Sequence, residues 1–185
     1  GLSLFEIIDS IKNGFGNTLK SIGLIIVFSI IMGEFLKESG SIKMFGNLIL
    51  SKFKNNSILS LNFLGLFLGI VVFCDSGFLI LNSISKSIVS SSNISLASLN
   101  LSLSGGLYTS HTLIPPTPGP LAAISNLNAN QYIGYAIIIG SIVSIPSSLI
   151  SFFYAKKFSK NIQIDLNKIK KINNKKLILP FLVIL

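Results

Sequence analysis

Charged residues are scarce in this sequence. They make up 11% of the 185 residues, arginine is absent, and the 15 cationic residues, all of them lysines, face only six acids. Soluble domains carry roughly 25% charged residues. Half of the chain is hydrophobic, and its mean hydropathy is +0.73. The composition therefore excludes an ordinary soluble domain and indicates an integral membrane protein, which we expect to be all-α.

Cysteine and histidine each occur once, as Cys74 and His111. A single cysteine excludes a disulfide within the chain. Together with Asp75 the two could be drawn as a metal site, but no CxxC or HExxH spacing supports one. Ser110, His111 and Asp75 could likewise be drawn as an intramembrane hydrolase, but a nucleophile-elbow motif is missing. We therefore expect neither an enzyme nor a bound metal or cofactor.

The net charge of +9 would suit a nucleic-acid-binding protein. The lysines, however, flank hydrophobic runs, as they do beside membrane segments, and no nucleic-acid-binding motif is present. The expected partner is the lipid bilayer. The start of the chain lacks the pattern of a signal peptide. Residues 177–185 open an apolar run shorter than the about 20 residues of a spanning helix, so we expect a piece of a longer protein.

Apolar runs and helical periodicity divide the chain into segments. Residues 1–20 carry apolar side chains on one helical face and charges opposite, which is typical of an interfacial helix. Gly14 and Gly16 should interrupt it. The predicted segments are an amphipathic helix at 1–20, spanning helices at 21–37 and 131–154, two longer apolar regions at 58–92 and 93–130, and a basic linker at 155–176.

Two polar interruptions fall inside the longer apolar regions. Residues 74–77 place Asp75 where a single span would bury it in the bilayer, at considerable energetic cost. Four of the six prolines lie between Pro115 and Pro120. We expect a helix to stop near Ile114, followed by a short extended run and a restart after Pro120. Irregular backbone at membrane depth must be buried in protein or line a water-filled cavity, so both interruptions are candidate sites.

The lysines also bear on topology. The loop at 37–57 holds four lysines and the linker at 155–176 holds eight. If all four apolar segments crossed the membrane, these regions would lie on opposite sides, against the positive-inside rule. One re-entrant hairpin between them puts both in the cytoplasm. Of the two candidates, 58–92 and 93–130, we prefer 58–92 because its arms are nearly equal and Lys86 then also falls inside.

Two stretches resemble the signatures of the gluconate permease family, whose members are proton-coupled importers of sugar acids. They are residues 73–78 (FCDSGF) and 106–123 (GLYTSHTLIPPTPGPLAA), of which the second is the more specific. Residues 14–19 (GFGNTL) and 32–34 (MGE) resemble the family as well. The similarity extends over nearly the whole chain.

The resemblance implies an ion-transporter-superfamily fold with two inverted repeats, each containing a re-entrant helical hairpin and a discontinuous helix. This chain would be most of the first repeat, with residues 177–185 beginning the next helix. Its partners would be the bilayer, the second repeat and a sugar acid such as gluconate, with a homo-oligomer left open. The family is multi-pass in the bacterial cytoplasmic membrane. Members carry Glu or Asp at Asp75, whereas Cys74 and Ser76 replace residues that are usually apolar or aromatic.

The resemblance also suggests roles for individual residues. Helix N-termini at the two interruptions could hold the substrate carboxylate. Asp75 is expected to carry the coupled proton, with a structural hydrogen-bonding role as the alternative. His111 is the second proton candidate, although a neutral ring bonded to a nearby group is equally compatible. The expected substrate-binding residues are Ser76, Gly77, Ser110, Thr112, Pro116, Thr117 and Gly119.

Several alternatives remain open from the sequence. The substrate could be another small carboxylate, such as D-serine or glycerate. The coupling ion could be sodium instead of a proton. The chain could also be an incomplete and inactive fragment of a transporter, because the second repeat is missing from it.

Overall fold

The computed structural model describes residues 1, 3–52 and 56–158, and in these ranges the chain is helical and without strands. The helices are α1 (Leu4–Glu38), α2 (Ser41–Lys52), α3 (Ser57–Val71), α4 (Cys74–Ser91), α5 (Leu96–Leu113), α6 (Pro118–Asn126) and α7 (Ile133–Phe158), with a short 3₁₀ turn at Asn130–Tyr132. The prediction of an all-α fold is confirmed. The basic linker beyond Phe158 and the helix predicted to begin at 177–185 lie outside the described residues.

Helix α1 is a single helix of 35 residues. It begins with a capping box, in which Ser3 and Glu6 satisfy each other's backbone N–H groups. The prediction that Gly14 and Gly16 interrupt this helix is wrong. A glycine costs a helix only about 1 kcal/mol, which the flanking helix-forming residues outweigh. The interfacial position predicted for 1–20 remains a prediction.

Helices α3 and α5 form the centre of the fold and run parallel to each other. The Ser102 hydroxyl donates to the Ile58 carbonyl at 2.8 Å, near the start of both helices. Further along, Gly69 packs against the backbone of Leu107 so closely that an added Cβ would lie 2.5 Å from its carbonyl oxygen. Such backbone contact is how small residues hold membrane helices together, through van der Waals packing.

Helices α3 and α4 form a hairpin whose turn is Val72 and Phe73. Gly46 of α2 faces both arms, because a Cβ there would meet Ile84 on α4 and Leu64 on α3. The hairpin therefore coincides with the region 58–92 preferred above, and α4 returns in the direction opposite to α3. Whether both arms enter and leave the bilayer on one face remains a prediction. The buried apolar core that joins α2 to α5 consists of Ile42, Leu61, Leu64, Leu68, Val72, Cys74, Leu81, Leu99, Leu103 and Leu107.

Helix α7 packs across α3 and α5 through a buried amide. The side-chain Nδ2 of Asn62 donates to the Ser102 carbonyl and to the Ser151 hydroxyl, each at 3.0 Å. Its Oδ1 accepts from the Ser148 hydroxyl. Asn62 is fully buried, so these bonds replace those it would make to water. One side chain thus joins three helices.

We expect Asn62→Ala to lower the free energy of unfolding by about 1–3 kcal/mol, because it leaves the buried Ser148 hydroxyl without its acceptor. Thermal unfolding in detergent measures the loss. Asn47→Ala, on the exposed face of α2, is the matched control and should change little. An Asn62 variant as stable as the Asn47 variant would contradict the structural role of the amide.

Two of the described helical stretches, Leu4–Glu38 and Asn130–Lys157, are long and apolar enough to cross a membrane. Little of either is buried inside the protein, so their apolar surfaces are available to lipid. Helix α3 is a shorter apolar helix of 15 residues. A helix of this length spans about 22 Å and does not reach across a hydrocarbon core of about 30 Å. A helix shorter than the hydrocarbon core suits the arm of a hairpin that turns back before it has crossed the membrane.

Candidate functional site

The proline stretch breaks a helix where the sequence predicted a break. Helix α5 ends at Leu113, and Ile114 takes extended backbone angles. Thr117, also extended, caps the next helix, which begins at Pro118. The predicted stop near Ile114 is confirmed, whereas the predicted restart after Pro120 is wrong. Prolines fit the first turn of a helix because N–H groups there have no acceptor within the helix.

The break lies beside α7, which belongs to one of the two described stretches long and apolar enough to cross a membrane. A Cβ added to Gly140 would lie 2.2 Å from the Leu113 carbonyl oxygen, so α7 passes the end of α5 at this point. Gly140 follows the start of α7 at Ile133 by about 10 Å of helix. We therefore expect the interruption at membrane depth, where irregular backbone must be enclosed by protein or line a cavity.

The turn of the α3–α4 hairpin meets this break. We call residues 72–77 the hairpin tip. The ring of Phe73 packs edge-on against His111 with their centroids 4.9 Å apart. A cavity of about 10 Å³ lies between the tip and the break, and its lining includes Ser29 of α1, Thr117 and Pro118. The two interruptions found in the sequence are thus adjacent in space.

Two helix N-termini meet at this place. Helix α4 starts at the tip with Phe73 as its N-cap, and α6 starts at the break with Thr117 as its N-cap. Neither N-cap side chain bonds the first-turn N–H groups. A helix N-terminus carries roughly half a positive charge together with N–H donors that no intrahelical carbonyl satisfies. The arrangement can therefore bind an anion such as a carboxylate.

Asp75 lies in the first turn of α4, two residues after the N-cap, and it is exposed. From the sequence, Asp75 was expected inside the polar interruption at residues 74–77 and not within a helix. The first turn suits an acid because the helix dipole stabilises negative charge there. Its carboxylate Oδ1 accepts a hydrogen bond of 2.6 Å from the Tyr108 hydroxyl of α5.

Tyr108 is the site residue that sequence reasoning missed. It opens the proline stretch, but nothing in the spacing shows that it faces Asp75. Only the antiparallel packing of α4 on α5, visible where Gly77 contacts Leu107, brings the two together. A tyrosine inside the motif, instead of at a membrane interface, was the available signal.

Three of the predicted substrate-binding residues face open space. Ser76, Pro116 and Gly119 are exposed, and no heavy atom lies within 4 Å of where a Cβ on Gly119 would stand. The backbone at Gly119 is therefore accessible to a bound molecule. These three residues come from the tip and from the break, on the two sides of the place where the N-termini meet.

The other four predicted residues are engaged within the protein. The Ser110 hydroxyl, fully buried, donates to carbonyls of its own helix, at Gly106 and Leu107. The hydroxyls of Thr112 and Thr117 also bond backbone carbonyls, at 2.7 Å and 2.6 Å respectively. Gly77 is buried by packing. In this conformation these residues shape the backbone of the site and do not point a free hydroxyl into it.

His111 lies one turn beyond Tyr108 on α5. Its Nδ1 is buried, and no described residue lies within hydrogen-bond distance of it. The bond to a nearby serine or backbone group that would have made His111 a purely structural residue is therefore not formed at Nδ1. Among the described residues, no group of three or more His, Cys, Asp or Glu side chains could hold a metal ion.

Comparison with known proteins identifies the family. The sequence profile described as "GntP family permease" matches residues 1–179 of the chain. The chain belongs to the GntP permease family. Members of this family are transporters and not enzymes, and they are multi-pass proteins of the cytoplasmic membrane. No solved structure matches the chain.

Curated relatives match most of the chain. It is 35% identical over 148 residues to "Inner membrane permease YgbN" of Escherichia coli, covering 80% of this chain and 32% of that protein. It is 31% identical over 152 residues to "Gluconate permease" of Pseudomonas aeruginosa, covering 82% and 33% respectively. A third relative, the "Gnt-II system L-idonate transporter" of E. coli, is 27% identical over 152 residues, covering 82% and 34%. The chain spans about a third of the length of these relatives.

The arrangement of the helices bears on the topology of this permease. Lys43 on α2 lies beside the far part of α4, near Ser83 and Ser87. Helix α7 passes the break at Gly140 and runs from there to Lys157, near its end, in the same direction as α4. We therefore expect cysteines placed at Lys43 and Lys157 to react with an impermeant maleimide from the cytoplasmic side only. The measurement is labelling of intact cells against inverted vesicles in a Cys74→Ala background, and reaction from opposite sides would contradict the hairpin.

Proposed function

We propose that this chain forms one wall of the substrate site of a permease that imports gluconate or a related sugar acid by proton symport. The observation that carries the proposal is the meeting of the N-termini of α4 and α6 beside α7. A sugar acid offers a carboxylate and several hydroxyls. Two partly positive helix ends with unsatisfied N–H groups bind such an anion without a buried cation.

The accessible groups divide the binding task. The first-turn N–H groups of α4 and the Gly119 N–H of α6 would hold the carboxylate, since both helix ends lack a side-chain cap and Pro118 and Pro120 carry no N–H. The exposed Ser76 hydroxyl, together with backbone at Gly119, would contact substrate hydroxyls. Pro116 and the prolines around it keep that backbone open and rigid. By the family pattern, the second repeat would supply the opposite wall.

Proton coupling is assigned to Asp75. It is the acidic side chain at the hairpin tip, next to the proposed carboxylate position, where a second negative charge would oppose binding. Protonation of Asp75 removes that repulsion, so a proton and an anion would bind together. His111, with a buried and unbonded Nδ1, is the second candidate for carrying the proton.

The relatives support the choice of sugar acid. They include gluconate permeases and an L-idonate transporter, and gluconate and L-idonate are both polyhydroxy carboxylates. We therefore place gluconate first and treat other small carboxylates as competitors in the test. A fragment that binds without transporting is the second candidate, favoured by the coverage of about a third of each relative.

Binding of labelled gluconate to the purified chain in nanodiscs tests the proposed site. We expect saturable binding that excess unlabelled gluconate or L-idonate displaces, and that sorbitol, which has the hydroxyls but no carboxylate, does not. Displacement by sorbitol would contradict anion recognition. Saturable binding of labelled D-serine or glycerate, with no saturable binding of gluconate, would replace the proposed substrate.

A further inference from the structure

Tyr108 is placed to control the position of Asp75. It stands on α5 opposite the first turn of α4, and its hydroxyl donates to the Asp75 carboxylate at 2.6 Å. We infer that Tyr108 is a positioning residue that holds the hairpin tip against α5 while Asp75 is ionised, and releases it when Asp75 is protonated. We call this hydrogen bond between Tyr108 and Asp75 the latch. Its link to transport rests on the proposed function, but the latch itself does not.

The other contacts of the tip do not depend on charge. Phe73 packs edge-on against His111, and Gly77 packs on the side chain of Leu107. The bond between Tyr108 and Asp75 has an ionised acceptor, and such bonds are roughly twice as strong as neutral ones. Protonating the carboxylate, with a proton taken from solvent, converts this one contact to a weaker neutral bond. The tip would then be held by apolar packing and by this weaker bond.

Few other titratable groups compete for this role near the tip. On α4, the Cys74 thiol lies 3.9 Å from the same carboxylate oxygen. On α5, His111 follows one turn beyond Tyr108 and contacts Phe73, not Asp75. On α1, Glu34 and Lys37 pair with each other. The Cys74 thiol donates to Asp75 from within α4, so Tyr108 is the donor that ties this carboxylate to a neighbouring helix.

Cys74 provides a native reporter of the latch. It is the single cysteine of the chain, it is 4% exposed, and it precedes Asp75 at the start of α4. If the tip leaves α5, the thiol becomes accessible. We expect Tyr108→Phe, in the membrane-embedded chain without substrate, to react with N-ethylmaleimide about three- to tenfold faster than wild type. Tyr135→Phe, on an exposed part of α7, should react at the wild-type rate.

A double-mutant cycle separates the latch from a general loosening of the fold. Asp75→Ala and Tyr108→Phe remove the same bond, so the double variant should react no faster than the faster single variant. The inference would be overturned if the double variant accelerated labelling by the product of the two single effects. It would also be overturned if Tyr108→Phe were labelled at the wild-type rate. If Tyr108→Phe speeds the labelling of Cys74 but the protein takes up no gluconate, the proposed function is refuted and the role of the Tyr108–Asp75 bond is retained.

Discussion

Replacement of Gly106 by alanine should leave little folded protein. Gly106 is where α5 lies directly on α3, and a Cβ there would stand 2.0 Å from the Asn62 carbonyl oxygen and 2.7 Å from the Leu66 nitrogen. Both atoms are backbone, so no side chain can turn aside, and the helices must separate. Overpacking of a core commonly costs about 1–3 kcal/mol. Because this clash separates two backbones, we expect the free energy of unfolding to fall by about 3 kcal/mol or more. Thermal unfolding in detergent measures this change.

A matched control is available on α7. Gly134 is also helical, but it is exposed, and nothing lies within 4 Å of its added Cβ. Gly134→Ala should leave stability unchanged or raise it by up to about 1 kcal/mol, through helix propensity alone. A Gly106→Ala protein as stable as the Gly134→Ala protein would show that α3 and α5 do not pack as described.

The Asp75→Asn change should abolish proton-driven uptake while leaving the fold intact. The amide cannot gain or lose a proton in this pH range, so the coupled ion has no carrier. Asp75 is exposed in the first turn of α4, and asparagine is tolerated at helix starts. We expect gradient-driven gluconate uptake at the level of protein-free vesicles, with gluconate binding retained.

Two further variants interpret that result. Asp75→Glu keeps a titratable carboxyl and should retain coupled uptake. Glu38→Gln removes an exposed acid at the end of α1 and should leave uptake unchanged. Full proton-driven uptake by Asp75→Asn would remove the role assigned to Asp75 and would leave His111 as the remaining candidate.

Much of this fold was predictable because its strongest signals are local. Prolines force a helix to end whatever surrounds them, and α5 does end at Leu113. An acid inside an apolar run must find a special environment, and Asp75 lies at a helix start beside a hydrogen-bond donor. Lysine counting favoured a re-entrant hairpin at 58–92; α3 and α4 do fold back on each other there, and whether they re-enter the membrane stays a prediction.

What could not be predicted depends on how helices are rotated against one another. The pairing of Tyr108 with Asp75 and the three-helix contact of Asn62 join residues far apart in the chain. Periodicity gives each helix a face but does not identify its partner. The error at Gly14 and Gly16 has another origin: a glycine lowers helix stability by a small amount, whereas a long helix sums many favourable residues.

Uptake of labelled gluconate distinguishes proton symport from the other readings of this fold. The protein is purified and reconstituted in proteoliposomes, and uptake is followed with and without an imposed inward proton gradient. We expect the gradient to drive accumulation, a protonophore to abolish it, and sorbitol not to compete. Gluconate uptake that ignores the gradient would contradict proton symport, and gradient-driven uptake of sorbitol would contradict the anion site at the two helix N-termini.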